Sequence, residues 1–246
     1  MVAPLSQDLP DDYPWLPGST RYPVGDLGEI AARLGSPLVY DRRGEVIWID
    51  DFRYGIKGWN FLGSGAGSGG FLVADPRLMG PYSAELIAGS SLSHYAQLIK
   101  NFSAQSLGRC GIEVAMEFAS DFETMLVLLT RSNNGITTQG AIEFNFTDEA
   151  LKYLGDDGLY HDFATLASPP VLANKFQFIK LVVDLDTSFY VRAMHEETEY
   201  DLAGISLYTV AGSGLEYQAA LLRLTGRAGN NDTMHLGHVI LTGNDQ

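Results

Sequence analysis

Glu143-Phe-Asn145-Phe-Thr147-Asp148 is a stretch of this 246-residue chain where acid and amide side chains alternate with aromatics, the residue types that paired-carboxyl hydrolysis of a glycosidic bond would draw on. Side chains at i and i+2 of a strand share a face about 7 Å apart, so Glu143 and Asn145 are spaced to meet one sugar. Hydrolysis of such a bond takes two carboxyl groups, and Asn145 cannot be the second. Glu113 and Glu117 also share a face, but at about 13 Å they stand too far apart for either known arrangement. They read as the solvated face of an alternating strand.

Other reactive residue types are scattered. His235 and His238 are three apart, which on a helix could hold a metal and on a strand places them on opposite faces. His94, His161 and His195 have no ligand cluster beside them in sequence. Gly65, Gly67 and Gly70 satisfy G-x-G-x-x-G, but the next residues, FLVAD, read as a strand. A dinucleotide loop must open a helix there, so a hairpin loop is expected. Cys110, the single cysteine, sits in the apolar run CGIEVAMEF and reads as a buried thiol. No catalytic set emerges, and the chain is expected to be non-enzymatic and to need no cofactor.

Sugar binding asks for less. Exposed aromatics stack on pyranose faces, and nearby acids or amides take the hydroxyls. Tyr54, Tyr153, Tyr160 and Asp157 fall in or near expected loops and fit that role. Trp59, near the first strand, is expected in the core.

Residues 175–208 best reveal the elements that must position these groups. An apolar run (Phe178–Val183), an Asp-Leu-Asp-Thr-Ser turn, an alternating run (Phe189–Met194) and a short strand near Tyr200 make an antiparallel meander. Strands are expected near 38–41, 45–51, 71–75, 82–88, 94–102, 110–119, 124–131, 137–146, 176–185, 189–195, 199–202, 216–225 and 234–242. MLVLL (125–129) is apolar on both faces, as in a strand covered on both sides, and SNNG (132–135) is a hairpin turn. DEALKYL reads as one helical turn, with a rim loop on to His161. These make an all-β, two-sheet antiparallel β-sandwich over residues 45–246.

Residues 1–44 form a separate arm. Five of the ten prolines fall before residue 25, so the chain there is extended. Leu5, Leu9, Tyr13, Trp15 and Leu16 make it too apolar for a solvated linker. DLGEIAARLG (26–35) is a capped short helix with Leu27, Ile30 and Leu34 on one face. The arm and this face are expected to bind a partner, as a homo-oligomer or particle subunit, or to pack on their own domain.

The formal charge of −14 argues against nucleic acid. No apolar run reaches the length of a membrane span, and no signal peptide is visible.

VIWIDDFRYGIKGW (46–59), GPYSAELIAG (80–89), FIKLVVDLDTSFYVRAMHEETEYDLAGISLY (178–208) and NNDTMHLGHVILTG (230–243), in that order, resemble the concanavalin A-like jelly-roll superfamily of legume lectins, pentraxins and laminin-G-like modules. The resemblance implies a jelly-roll sandwich and, as one reading, a carbohydrate-binding module. Some glycosidases share the sandwich and carry E-x-D-x-x-E, from which Asn145 departs; a glycoside hydrolase is the second alternative. It also implies a structural calcium near Asp50 and Asp51, although related closing strands carry an Asp where this one reads His235-Leu236-Gly237-His238. DLGEIAARLGSPLVYDRRGEVIWIDDF (26–52) resembles leading segments of tailed-phage virion proteins. Together with the arm this makes a virion structural protein, a capsid decoration or tail-associated subunit, the leading expectation. Its localisation is then the virion, with a cytoplasmic or extracellular protein as the alternative.

Overall fold

Between Arg109 and Phe118, Cys110, Ile112, Val114, Met116 and Phe118 turn to one side and bury completely. Period-two patterns of this kind, repeated along the chain, stack two sheets face to face. The computed structural model describes residues 41, 43–78, 81–102, 108–166, 175–212 and 214–245. No helix occurs among them. The expected helix over 26–35, the strand over 38–40 and the partner-binding residues Leu5, Leu9, Tyr13, Trp15, Leu16, Leu27, Ile30 and Leu34 lie outside the described residues.

The strands in chain order begin with β1 (Glu45–Asp50), β2 (Asn60–Ser64), β3 (Gly69–Val73), β4 (Ser83–Ile87), β5 (Tyr95–Phe102) and β6 (Arg109–Phe118). Then come β7 (Thr124–Asn133), β8 (Ile136–Asn145), β9 (Ala150–Leu154), β10 (Tyr160–Thr165) and β11 (Gln177–Asp184). The last are β12 (Phe189–His195), β13 (Thr198–Asp201), β14 (Tyr208–Ala211), β15 (Tyr217–Thr225) and β16 (Thr233–Gly243). The first sheet runs β13-β12-β11-β6-β16-β4-β3, with β1 also on β16. The second runs β10-β9-β8-β7-β15-β5-β2, with β14 also on β8. All pairings are antiparallel. This is a jelly-roll β-sandwich.

The interior is continuous. Met125, Val127 and Leu129 of β7 meet Ile112, Val114 and Leu181 in one cluster. Each fully buried side chain of this size contributes about 1.5–3 kcal/mol. Trp59 belongs to it, as expected, with its ring edge-on to Trp48 at 5.4 Å. The hairpin at Asn134-Gly135 has both residues at positive φ (50° and 76°), as a two-residue loop between twisted strands requires.

Several local expectations are corrected. DEALKYL is not a helical turn, nor is the stretch to His161 a loop: β9 and β10 occupy it. Leu151 and Tyr153 turn toward the core and Leu154 away from it, so a strand there buries apolar area that an isolated turn could not. Strands β2 and β14 also went unforeseen; both are short. The Gly-rich stretch is not a hairpin within a sheet. Its turn at 65–68 carries the chain from β2 in one sheet to β3 in the other.

His235 and His238 share a face despite their spacing, because β16 bulges between Leu236 and His238. The extra residue, Gly237, shifts the alternation by one. Glu113 and Glu117 are buried, not solvated. The bulge aligns β16 so that His235 Nδ1 meets Glu117 at 2.6 Å and Glu85 approaches Nε2 at 3.2 Å. His238 approaches Glu113 at 3.4 Å. Pairing with imidazoles is what lets these carboxyl groups leave water.

Both ends of the described domain are tied to the same outer face. Fully buried Lys180 lies 3.0 Å from Asp41 and 2.7 Å from Asp245. Arg192 reaches the same two acids, and Thr242 donates to Asp245 at 2.6 Å.

Candidate functional site

The outer face of the second sheet carries the site, and register determines its pattern. One row across the strands reads Gln97, Arg223, Leu126, Glu143 and Lys152. The next reads Asn60, Ile99, Leu221, Leu128 and Ala141. Leu154 and Tyr160 extend it on β9 and β10. The third reads Asn101, Ala219, Thr130, Gln139 and Tyr208. An aliphatic band therefore lies between two rows that carry hydrogen-bonding groups.

This face is sunk into a cleft of about 1320 Å³. Leu126, Leu128, Leu154 and Leu221 form its floor, Tyr160 and Tyr208 stand on one side, and Asn60 and Leu62 stand on the other. Leu126 and Leu128 are 9% and 8% exposed. Strand β7 was expected to be covered on both sides; instead its outward leucines are the floor of the cleft.

Two charged side chains flank Leu126. Arg223 lies over the ring of Tyr95 at 4.6 Å and donates from Nε to Gln97 Oε1 at 2.7 Å. Burial raises the Glu143 carboxyl above the usual range, opposed by a hydrogen bond from Asn145 and by the charge of Lys152. Asn145 Nδ2 stands 3.3 Å from Glu143 Oε1. The Tyr160 phenol is pushed up to about 12, chiefly by burial, with the Glu143 charge adding and Arg223 opposing. Glu143, Tyr160 and Arg223 therefore share one electrostatic neighbourhood.

The sequence-derived candidates divide. Tyr160 lines the cleft. Tyr153, one strand away, faces the interior against Tyr190 at 5.7 Å. Asp157 sits in the β9–β10 turn, accepting from Leu159 N at 2.9 Å and lying 3.1 Å from His161 Nε2. Tyr54 is 86% exposed in the β1–β2 loop and does not line the cleft. Asp50 accepts from Phe52 N at 2.8 Å and Trp59 Nε1 at 3.0 Å, and Asp51 pairs with Arg53. Calcium at these two acids would have to displace those bonds. Among the described residues no three His, Cys, Asp or Glu side chains gather as a metal-holding group.

Leu126, Leu128, Leu221, Gln97, Arg223 and Tyr208 were missed. The signal was partly present: Ala219 and Leu221 on one stretch, and Leu126 and Leu128 on the other, occupy positions that a solvated face would give to charges.

No protein-family model matches the chain, and no curated protein matches it in sequence. Solved structures match its fold. A sialidase aligns at 11% identity with a TM-score of 0.54, over 82% of this chain and 19% of that one. A Bacillus licheniformis β-glucanase aligns at 13% identity and 0.50, over 79% and 97%. A Bacillus subtilis protein of unknown function with a galectin-like fold aligns at 10% identity and 0.50, over 82% and 97%. This chain thus spans about a fifth of the sialidase. At such identities the likeness is one of fold alone: a two-sheet jelly-roll β-sandwich.

Proposed function

We propose that this protein binds carbohydrate in the cleft on the outer face of its second sheet. The observation that carries the reading is the banding of that face. Sugar rings present carbon-bound hydrogens on their faces and hydroxyls around their edges. The Leu221–Leu128–Leu154 band matches the first. Asn60, Asn101, Gln139 and Arg223, in the flanking rows and at the band's end, match the second. Tyr160 and Tyr208 supply rigid rings with a polar tip at the edge of the floor. The match of fold to carbohydrate-active proteins supports this reading.

Binding rather than hydrolysis is the function proposed, because Asn145 occupies the place where Glu143 would need an acidic partner. The virion role expected from the Pro-rich leader rests on residues outside the described ones, and no contact within the sandwich bears on it.

A glycan array followed by titration calorimetry tests the proposal. Saturable binding that falls on the order of tenfold in Tyr160→Ala, and that Leu128→Arg abolishes, is expected. No saturable binding to any arrayed glycan, or binding indifferent to both changes, would overturn it.

A further inference from the structure

Arg223 is the one basic side chain among the described residues that line the cleft, and none of them offers it an acid to pair with. Arg53, Arg109, Arg131, Arg192 and Arg227 each meet a carboxylate within ion-pair distance. For Arg223 no such contact exists among the described residues; its partners are Gln97 and the face of Tyr95. These hold the guanidinium from two directions. Nε is used by the amide and one flat face by the ring, which leaves the terminal nitrogens of the fork without a bonded partner among the described residues. A half-buried cation of this kind pays desolvation with no opposite charge in return.

The surroundings favour an anionic guest at this place. The acid that lines the cleft, Glu216, is exposed. Glu143, on the far side of Leu126, has its Oε1 within 3.3 Å of Asn145 Nδ2. Its strand lies two spacings from that of Arg223, roughly 9–10 Å, and among the described residues no ion pair joins the two side chains. Planar, bidentate recognition of carboxylate is what a pre-organised guanidinium does best.

We infer that the cleft selects an acidic glycan, one whose sugar carboxylate pairs with the Arg223 fork while its ring lies on the leucine floor. This rests on the carbohydrate-binding reading and specifies its ligand. The chain's net charge of −14 repels densely charged polymers at long range, so the guest carries isolated carboxylates on an otherwise apolar-faced chain.

The test is titration calorimetry on the whole chain with three probes: a gluco-oligosaccharide bearing one glucuronate, its neutral counterpart of equal length and linkage, and a short acidic peptide. The uronate should bind on the order of tenfold more tightly than the neutral sugar. Arg223→Gln should bring the ratio to parity. Gln97→Met, which frees Nε without removing the charge, should retain only part of the preference. Equal affinity for the two sugars overturns the inference and leaves the carbohydrate reading standing. Failure of both sugars to bind overturns both, as does binding of the peptide in preference to either sugar.

Discussion

The hydroxyl of Tyr190, carried by the first sheet, donates to the carbonyl of Leu154 in the second at 2.8 Å. It also receives the amide of Ala141 at 2.9 Å. The place is a fork. Strand β8 pairs with β14 up to Gln139 and with β9 from Ile142 onward, so Gly140 and Ala141 belong to neither ladder. One side chain crossing the core thus satisfies backbone groups that the diverging strands leave open, directly beneath the cleft floor.

Tyr190→Phe should therefore destabilise the domain by about 1–3 kcal/mol, because two buried backbone groups lose their partner while the ring stays packed. Urea denaturation measures it. The same variant should weaken ligand binding, since Ala141 and Leu154 belong to the floor.

Lys180→Met should be among the most damaging single changes. It leaves Asp245 buried with Arg192 as its remaining counter-charge, and Asp41 with Arg43 and Arg192. Breaking a buried pair on one side typically costs about 3–5 kcal/mol. Thermal unfolding of Lys180→Met beside the double variant Lys180→Met/Asp245→Asn checks this; the second change should recover part of the loss.

Acid should weaken the fold in two steps. Burial, with a smaller contribution from Lys175, lowers His195 from 6.5 to about 4. The ring packs edge-on to Phe144 at 5.3 Å, and its Nε2 lies 3.1 Å from Gln177 Oε1. The unfolded chain takes up this proton first, so stability present above pH 6.5 is lost as pH falls toward about 4. A second loss sets in as pH falls through 3.8, where the unfolded chain takes up the Asp41 proton while the folded carboxylate, held down against its own burial by Arg43, Lys180 and Arg192, stays ionised. His195→Gln should flatten the first step and leave the second, as read from denaturation midpoints across pH.

Gly237→Ala tests the bulge. A methyl group there would meet the Leu78 side chain at 2.9 Å and the Phe176 ring at 2.8 Å. Overpacking of this kind costs about 1–3 kcal/mol. Because the bulge sets the phase of β16, the His235–Glu117 contact should loosen with it, which side-chain NMR of the imidazole would report.

The sandwich was legible because alternation in 112–118 and the meander at 178–208 are statements about burial, and burial is what folds a sheet. The site was less so. Leu126 and Leu128 read as covered, since an apolar residue looks the same whether it meets a second layer or floors a cleft. Tyr153 and Tyr160 looked alike in sequence, yet the β9–β10 turn sends one into the core and the other into the cleft. Glu113, Glu117, His235 and His238 misled because a single extra residue at Gly237 reverses which face a histidine occupies. The row of Gln97, Arg223 and Glu143 joins residues up to 126 positions apart, and no local pattern announces a register.

The central claim is that carbohydrate lies across the β15, β7 and β8 floor. Amide-resolved NMR during a titration with the tightest glycan from the array tests it most directly. Shifts that cluster at Leu126, Leu128, Gln139, Tyr160, Leu221 and Arg223 are predicted, with the loop around Tyr54 silent. Shifts centred on that loop or on the outer face of the first sheet, with the leucine floor unmoved, would contradict it.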